Sequence, residues 1–231
     1  MSIAENIAQI RANIAQACAQ AGRSPEEITL VGASKMNDAA ACREAIAAGI
    51  DALGENRVQE MTAKLAENAY DGAPLHFIGH LQRNKVKQVV GKVSLIQSVG
   101  SVELLEEIEK VAAREQLVQD ILLEVNIGGE EAKSGFAPEA VTAAAEAALA
   151  LPHVRVRGLM TIPPADADRD ANMRYFQEVQ ALYVDINTKL FHNELKCLSM
   201  GMSGDYMDAI RCGATMVRVG TAIFGARHYN I

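Results

Sequence analysis

Ile28-Thr-Leu-Val-Gly-Ala-Ser-Lys35 is a largely apolar run closed by a lysine. A short run of this kind, followed by the capping residues Asn37 and Asp38 and an alanine-rich segment up to Gly49, reads as a buried strand that hands over to a helix. The same two textures recur along the chain. Strand-like segments follow at 50–54, 75–79, 94–98, 120–126, 154–161, 195–200 and 216–219, and helical ones at 55–69, 82–90, 101–115, 138–149, 171–190 and 205–212. Upstream, Ile3, Ile7, Ile10, Ile14 and Ala17 recur every three or four residues and predict an extra N-terminal helix over 3–21.

Apolar strands alternating with helices argue for a parallel sheet with helical crossovers. Eight strand-like segments in roughly 200 residues fit a closed (β/α)8 TIM barrel. An open doubly wound sheet is the rival. Neither a linker nor a low-complexity tract interrupts residues 1–231, so one barrel domain is expected. The turn-rich loop 162–170 is too short to divide it.

Composition narrows the classes. Half of the 231 residues (49%) are hydrophobic, enough for one large core. A net charge of −7 argues against nucleic acid as a partner. The densest basic stretch, Arg83-Asn-Lys85-Val-Lys87, reads as a solvated helix face. No apolar stretch approaches the roughly 18 residues of a membrane span, and the N-terminus lacks the pattern of a signal peptide. A cytoplasmic protein without membrane contact is expected. Cys18, Cys42, Cys197 and Cys212 are scattered and read as buried thiols, and no histidine cluster suggests a metal.

In a barrel of this type the chemistry sits at the C-terminal ends of the strands. Those ends carry Lys35, Glu55-Asn56, Gly79-His80, Asn126, Met160-Thr161, Met202-Ser203-Gly204 and Gly220-Thr221. A lysine beside an apolar core loses its proton more readily than one in water, and a neutral amine forms a Schiff base with an aldehyde. Ser203-Gly204 precedes a helix, and Gly220-Thr221 offers a second turn. Loops after strands seven and eight often build a phosphate site, although Ser203 also suits an ordinary helix cap. Arg218 alternates with Val217 and Val219, which turns it onto the opposite face. There it needs a partner, either a ligand or a structural carboxylate. Asn56 and His80 carry weaker signals, a cap and a satisfied polar residue being the plainer readings.

Six segments together resemble a known family. They are Val31-Gly-Ala-Ser-Lys35, Gly49-Ile-Asp-Ala-Leu-Gly-Glu-Asn-Arg-Val-Gln-Glu60, His76-Phe-Ile-Gly-His-Leu-Gln-Arg-Asn-Lys85, Gly158-Leu-Met-Thr-Ile-Pro-Pro164, Leu198-Ser-Met-Gly-Met-Ser203 and Val217-Arg-Val-Gly-Thr-Ala-Ile-Phe-Gly225. In that order, over nearly the whole chain, they resemble the YggS/PROSC family of pyridoxal 5′-phosphate (PLP) homeostasis proteins. The resemblance implies a barrel similar to the N-terminal domain of alanine racemase and PLP held as a Schiff base on Lys35. It implies a phosphate held by Ser203, Gly204, Gly220 and Thr221, Arg218 facing the pyridine nitrogen, and Asn56 near the ring or its lysine. Two features depart from the family. Its usual Ser-Lys-Thr-Lys-Pro is here Ser34-Lys-Met-Asn-Asp38, without the second lysine, and the sequence ends His228-Tyr-Asn-Ile231 without a lysine-bearing tail. Lys133 matches another family lysine and is the secondary candidate.

Three functions compete. The first is a PLP carrier without robust catalysis, whose recipients are PLP-dependent apo-enzymes. The second is a racemase-like PLP enzyme. The third is a phosphosugar lyase or isomerase using Lys35, which would need a neighbouring acid–base group such as Glu55 or Glu124. A two-base racemase needs a second proton donor on the cofactor's far face. The sequence runs 6 residues past Gly225, so no further domain is expected to wall that face, and a monomeric carrier is the favoured expectation.

Overall fold

A computed structural model describes residues 1–225. Strand β1 (Thr29–Ala33) opens a closed barrel, and β2 (Ala52–Glu55), β3 (Leu75–Phe77), β4 (Leu95–Val99), β5 (Gln119–Val125), β6 (Val154–Thr161), β7 (Cys197–Ser199) and β8 (Met216–Val219) follow in chain order. Every pairing is parallel, and β8 closes onto β1 with Arg218 opposite Val31. The closed barrel is the expected (β/α)8 architecture, and the open sheet is excluded.

The strands read as nearly continuous apolar runs because both of their faces are covered. Val31, Ala52, Leu95, Leu122, Met160 and Met216 alternate inward and form one packed cluster. Their neighbours Leu30, Leu53, Ile96, Ile121, Leu123, Leu159, Leu198 and Val217 point outward into a larger cluster under the helices. Burying one such side chain stabilises the fold by about 1.5–3 kcal/mol.

The surrounding helices are α1 (Ile3–Gln20), α2 (Ala39–Ala47), α3 (Val58–Ala66), α4 (Val102–Arg114), α5 (Val141–Leu149), α6 (Arg169–Leu190), α7 (Tyr206–Arg211) and α8 (Thr221–Phe224). Helix α1 starts with a capping box, Ser2 and Glu5 bonding each other's backbone N–H. Its buried Ile7, Ile10 and Ile14 pack it against α2, α7 and α8, across the junction of first and last units. Asp38 and Ser101 cap α2 and α4 as expected.

Several details differ from the sequence reading. The segment 82–90 is a 3₁₀ turn, Arg83–Gln88, rather than an α-helix. Its neighbourhood holds Val86, Val89 and Val90, whose branched side chains disfavour an α turn, and 3₁₀ geometry spans more distance per residue. The helix after β2 starts only at Val58, and Pro138 opens a 3₁₀ turn that precedes α5. A bulge also interrupts the β5–β6 ladder between Ile121 and Leu122, beside Gly158. A Cβ on Gly158 would lie 1.6 Å from the Cys197 carbonyl oxygen, so only glycine lets β6 and β7 approach there.

Among the described residues all four cysteines are free, three of them buried and Cys197 half-buried. No described helix is long and apolar enough to cross a membrane, and no described group of His, Cys, Asp or Glu could hold a metal.

Candidate functional site

The barrel gathers all seven candidate residues at one place. Lys35, Asn56, Ser203, Gly204, Arg218, Gly220 and Thr221 line a single cavity of about 350 Å³ at the C-terminal ends of the strands. That volume lies within the range of small-molecule sites, about 300–1,000 Å³. Ala33, Ile78, Ile162 and Phe224 supply its apolar wall. Met36 and Met202 stand exposed at its lip.

Lys35 is half-buried in a four-residue turn that leaves β1. The Asn37 N–H donates to the Ser34 carbonyl across this turn (3.1 Å), and the Asn37 side-chain amide donates to the Lys35 carbonyl (3.1 Å). Met36 is held at φ 63°, a left-handed conformation that glycine or asparagine adopts with less strain. Glu60 on α3 anchors it by accepting the Met36 N–H (2.8 Å). Asn37, where the family's second lysine is missing, therefore lies on the cavity lip and fastens the primary lysine's backbone.

Behind this turn lies a buried charged cluster. Glu55 Oε1 accepts from Ser34 Oγ (2.5 Å), Lys64 Nζ (2.6 Å) and Tyr70 Oη (3.0 Å). Lys64 Nζ also donates to the Ser34 carbonyl (2.8 Å). Ser34 precedes Lys35 and Glu55 precedes Asn56, so the outward residues clamp two strand ends whose next residues line the cavity. Burial, then the charge of Glu55, pushes the Tyr70 hydroxyl well above its ordinary pKa, so it stays a donor. Asn56 comes as close as it does because Gly79 stands two residues past the end of β3. A Cβ on Gly79 would lie 2.3 Å from the Asn56 carbonyl oxygen. Asn56 Oδ1 is buried without a hydrogen-bond partner in the protein.

On the opposite wall, Ser203 Oγ accepts from the backbone N–H groups of Gly220 (3.2 Å) and Ala222 (3.4 Å). Ser203 is therefore not the cap of α7, whose flanking residue is Asp205. It bridges the loops after β7 and β8. A Cβ on Gly204 would meet nothing within 4 Å, which leaves open space beside that backbone.

Arg218 is 3% exposed and donates to Ser199 Oγ (2.5 Å) and to the Thr161 carbonyl (2.8 Å). Among the described residues it forms no ion pair, so the carboxylate partner considered from sequence is absent. Burial lowers its pKa to about 10, with Glu124 and Asp205 acting the other way. Glu124 is itself buried on β5, accepts from Ser134 Oγ (3.0 Å) and has its pKa raised by burial.

Glu55 and Glu124 do not line the Lys35 cavity, and His80 lies exposed beside it. Lys133 is outside it too, paired with Glu130 (2.5 Å). The sequence reading missed Lys64, Tyr70 and Ser199. Ser199 alternates on β7 as Arg218 does on β8, a usable signal. Lys64 and Tyr70 carry none, because a lysine and a tyrosine on or after a helix ordinarily face solvent.

Fold and site together define a (β/α)8 barrel with one lysine at the end of its first strand, the class of the alanine racemase N-terminal domain, whose family model matches residues 6–228. The chain is 42% identical to the pyridoxal phosphate homeostasis protein of Aquifex aeolicus, covering 99% of this chain and 100% of that one. It is also 42% identical to that of Pseudomonas aeruginosa, covering 99% and 97%. The structure of PipY from Synechococcus elongatus with PLP bound superposes with a TM-score of 0.84 at 33% identity, covering 97% of this chain and 100% of that one. The chain belongs to the pyridoxal phosphate homeostasis protein family.

Proposed function

We propose that this protein binds PLP through Lys35 and serves PLP homeostasis as a buffer or carrier rather than as an enzyme. The observation that carries this reading is the convergence of an amine, a two-loop donor cradle and a buried guanidinium on one small cavity. The residues fit the group. Lys35 would hold its aldehyde carbon. Ser203, Gly204, Gly220 and Thr221 would hold its phosphate, with the N–H groups now on Ser203 Oγ available as donors. Arg218 would face the ring nitrogen and, as a permanent donor, keep it unprotonated. The unpartnered amide oxygen of Asn56 would complete the ring's polar contacts. PLP so bound supplies an aldehyde that an amine can take up and release reversibly.

The carrier reading is favoured over the racemase because no carboxylate, histidine or tyrosine is among the described residues lining the cavity, and Glu60 and His80 line only the neighbouring pocket that Lys35 and Asn56 share. The same absence counts against a phosphosugar lyase. A single-domain, monomeric, cytoplasmic protein that passes PLP to apo-enzymes is the form of this proposal.

Absorbance spectra of the wild type and of Lys35→Ala test it. A near-violet band present only in the wild type and bleached by borohydride is the expected outcome. No band after PLP is added, or enzyme-like turnover of common amino acids by the wild type, overturns it.

A further inference from the structure

Beneath the cavity, side chains from four strands form a continuous polar column inside the barrel. Arg218 Nη1 donates to Ser199 Oγ (2.5 Å), Ser199 Oγ donates to Gln97 Oε1 (2.6 Å), and Gln97 Nε2 lies 2.9 Å from His76 Nδ1. All four residues are buried, none more than 6% exposed.

The direction of each bond follows from the one before. A guanidinium only donates, so Ser199 accepts from it and passes its single proton onward. An amide oxygen only accepts, so the Gln97 oxygen faces Ser199 and its NH₂ faces His76. An amide nitrogen only donates, so His76 Nδ1 accepts and the imidazole is neutral with its proton on Nε2. The second Gln97 N–H reaches Met216 Sδ (3.1 Å).

Such a column is costly in an interior whose next layer is Val31, Ala52, Leu95, Leu122, Met160 and Met216. Buried arginines are ordinarily matched by a carboxylate. Here both acceptors of Arg218 are neutral, and the charges that reach it without an ion pair are Glu124 from β5 and Asp205 from the loop before α7.

We propose that Ser199, Gln97 and His76 are positioning residues for Arg218: they aim its guanidinium at the cavity while withholding a counter-ion, so that a ring nitrogen bound there stays unprotonated. This rests on the PLP reading above. The column does two things that an ion pair could not do together. It fixes the guanidinium's orientation through a chain of single-direction bonds, and it leaves the positive charge for the ligand.

The test uses ¹⁵N-labelled protein without ligand, then the same protein loaded with PLP labelled at the ring nitrogen. In the ligand-free wild type, His76 should be neutral with its proton on Nε2 from pH 5 to 8, and the Arg218 Nη–H groups should give slowly exchanging signals. Gln97→Glu sets an acceptor against Nδ1, so His76 should gain a proton there, and the bound ring-nitrogen signal should move toward that of a protonated pyridine. Ser199→Ala should speed Arg218 Nη1–H exchange at least tenfold. A wild-type His76 carrying its proton on Nδ1 overturns the proposal with no substitution. So does unchanged Arg218 exchange in Ser199→Ala, or an unchanged ring-nitrogen signal in a folded, loaded Gln97→Glu. If the wild type takes up no PLP at Lys35, the carrier reading fails, and the two ligand-free signals still decide whether the column holds Arg218.

Discussion

Two buried polar networks support the cavity from opposite sides, and they are built differently. Outside the barrel, under Lys35 and Asn56, the network centres on an ion pair: Glu55 and Lys64, 0% and 8% exposed at the side chain, joined by Ser34 and Tyr70. Inside the barrel, under Arg218, the network is neutral throughout except for the arginine. The first acts on backbone: Lys64 holds the Ser34 carbonyl, and Glu55 ties the end of β1 to the end of β2. Its charges cancel locally. The second holds a charge, and in the proposal above cancelling it would remove what the ligand meets in the cavity.

The largest effect should come from breaking the ion pair. Lys64→Met leaves the Glu55 carboxylate buried and uncompensated, which costs about 3–5 kcal/mol. Denaturant unfolding should show that loss, and adding Glu55→Gln should recover a large part of it because the remaining donors suit a neutral amide. A double variant as unstable as the single one would mean that the clamp depends on packing rather than on charge balance.

The neutral column predicts a pH effect with a definite sign. Burial lowers the His76 pKa from 6.5 to about 4. The unfolded chain therefore binds more protons than the folded one between those values, and stability falls as pH drops from about 6.5 towards 4. The share due to His76 is about 3 kcal/mol at the acid end. Comparing the wild type with His76→Gln isolates it from the carboxylates. His76→Gln should flatten the slope in that window, and an equal slope in both proteins would remove the imidazole from the account.

Tyr70→Phe deletes one of three donors to a single Glu55 oxygen and should cost about 1 kcal/mol. A loss as large as that of Lys64→Met would make the hydroxyl an equal partner in the clamp. The smallest change sits on the lip between the two networks. Met36→Gly relieves a left-handed residue and, after what glycine gains in the unfolded chain is taken off, should raise stability by about 0.5–1 kcal/mol in thermal unfolding.

Much of this was legible in the amino-acid order. Strands buried on both faces leave apolar runs, and the runs at 154–161 and 216–219 coincide with β6 and β8. Their ends carry the residues that meet in the cavity, because a parallel barrel places every strand's C-terminal end on one face. The 3₁₀ turn at Arg83–Gln88 was not legible, since three residues per turn and 3.6 look alike over six positions. Gln97 was half legible. It shares a face with Leu95 on β4 as Arg218 does with Met216 on β8, so its inward direction could be read but its partner could not.

What the sequence determined alone was local: which segments are strands, which residues close them, and therefore the barrel and its lysine-bearing rim. What only the tertiary structure decided was pairing. Gln97 bonds residues 21 positions before it and 102 after it, and Lys64 turns inward because Glu55 and the Ser34 carbonyl wait there. Hydrophobic periodicity records the direction of a side chain. The partner of a buried polar group is set by which strands the closed barrel brings side by side, and no local pattern carries that information.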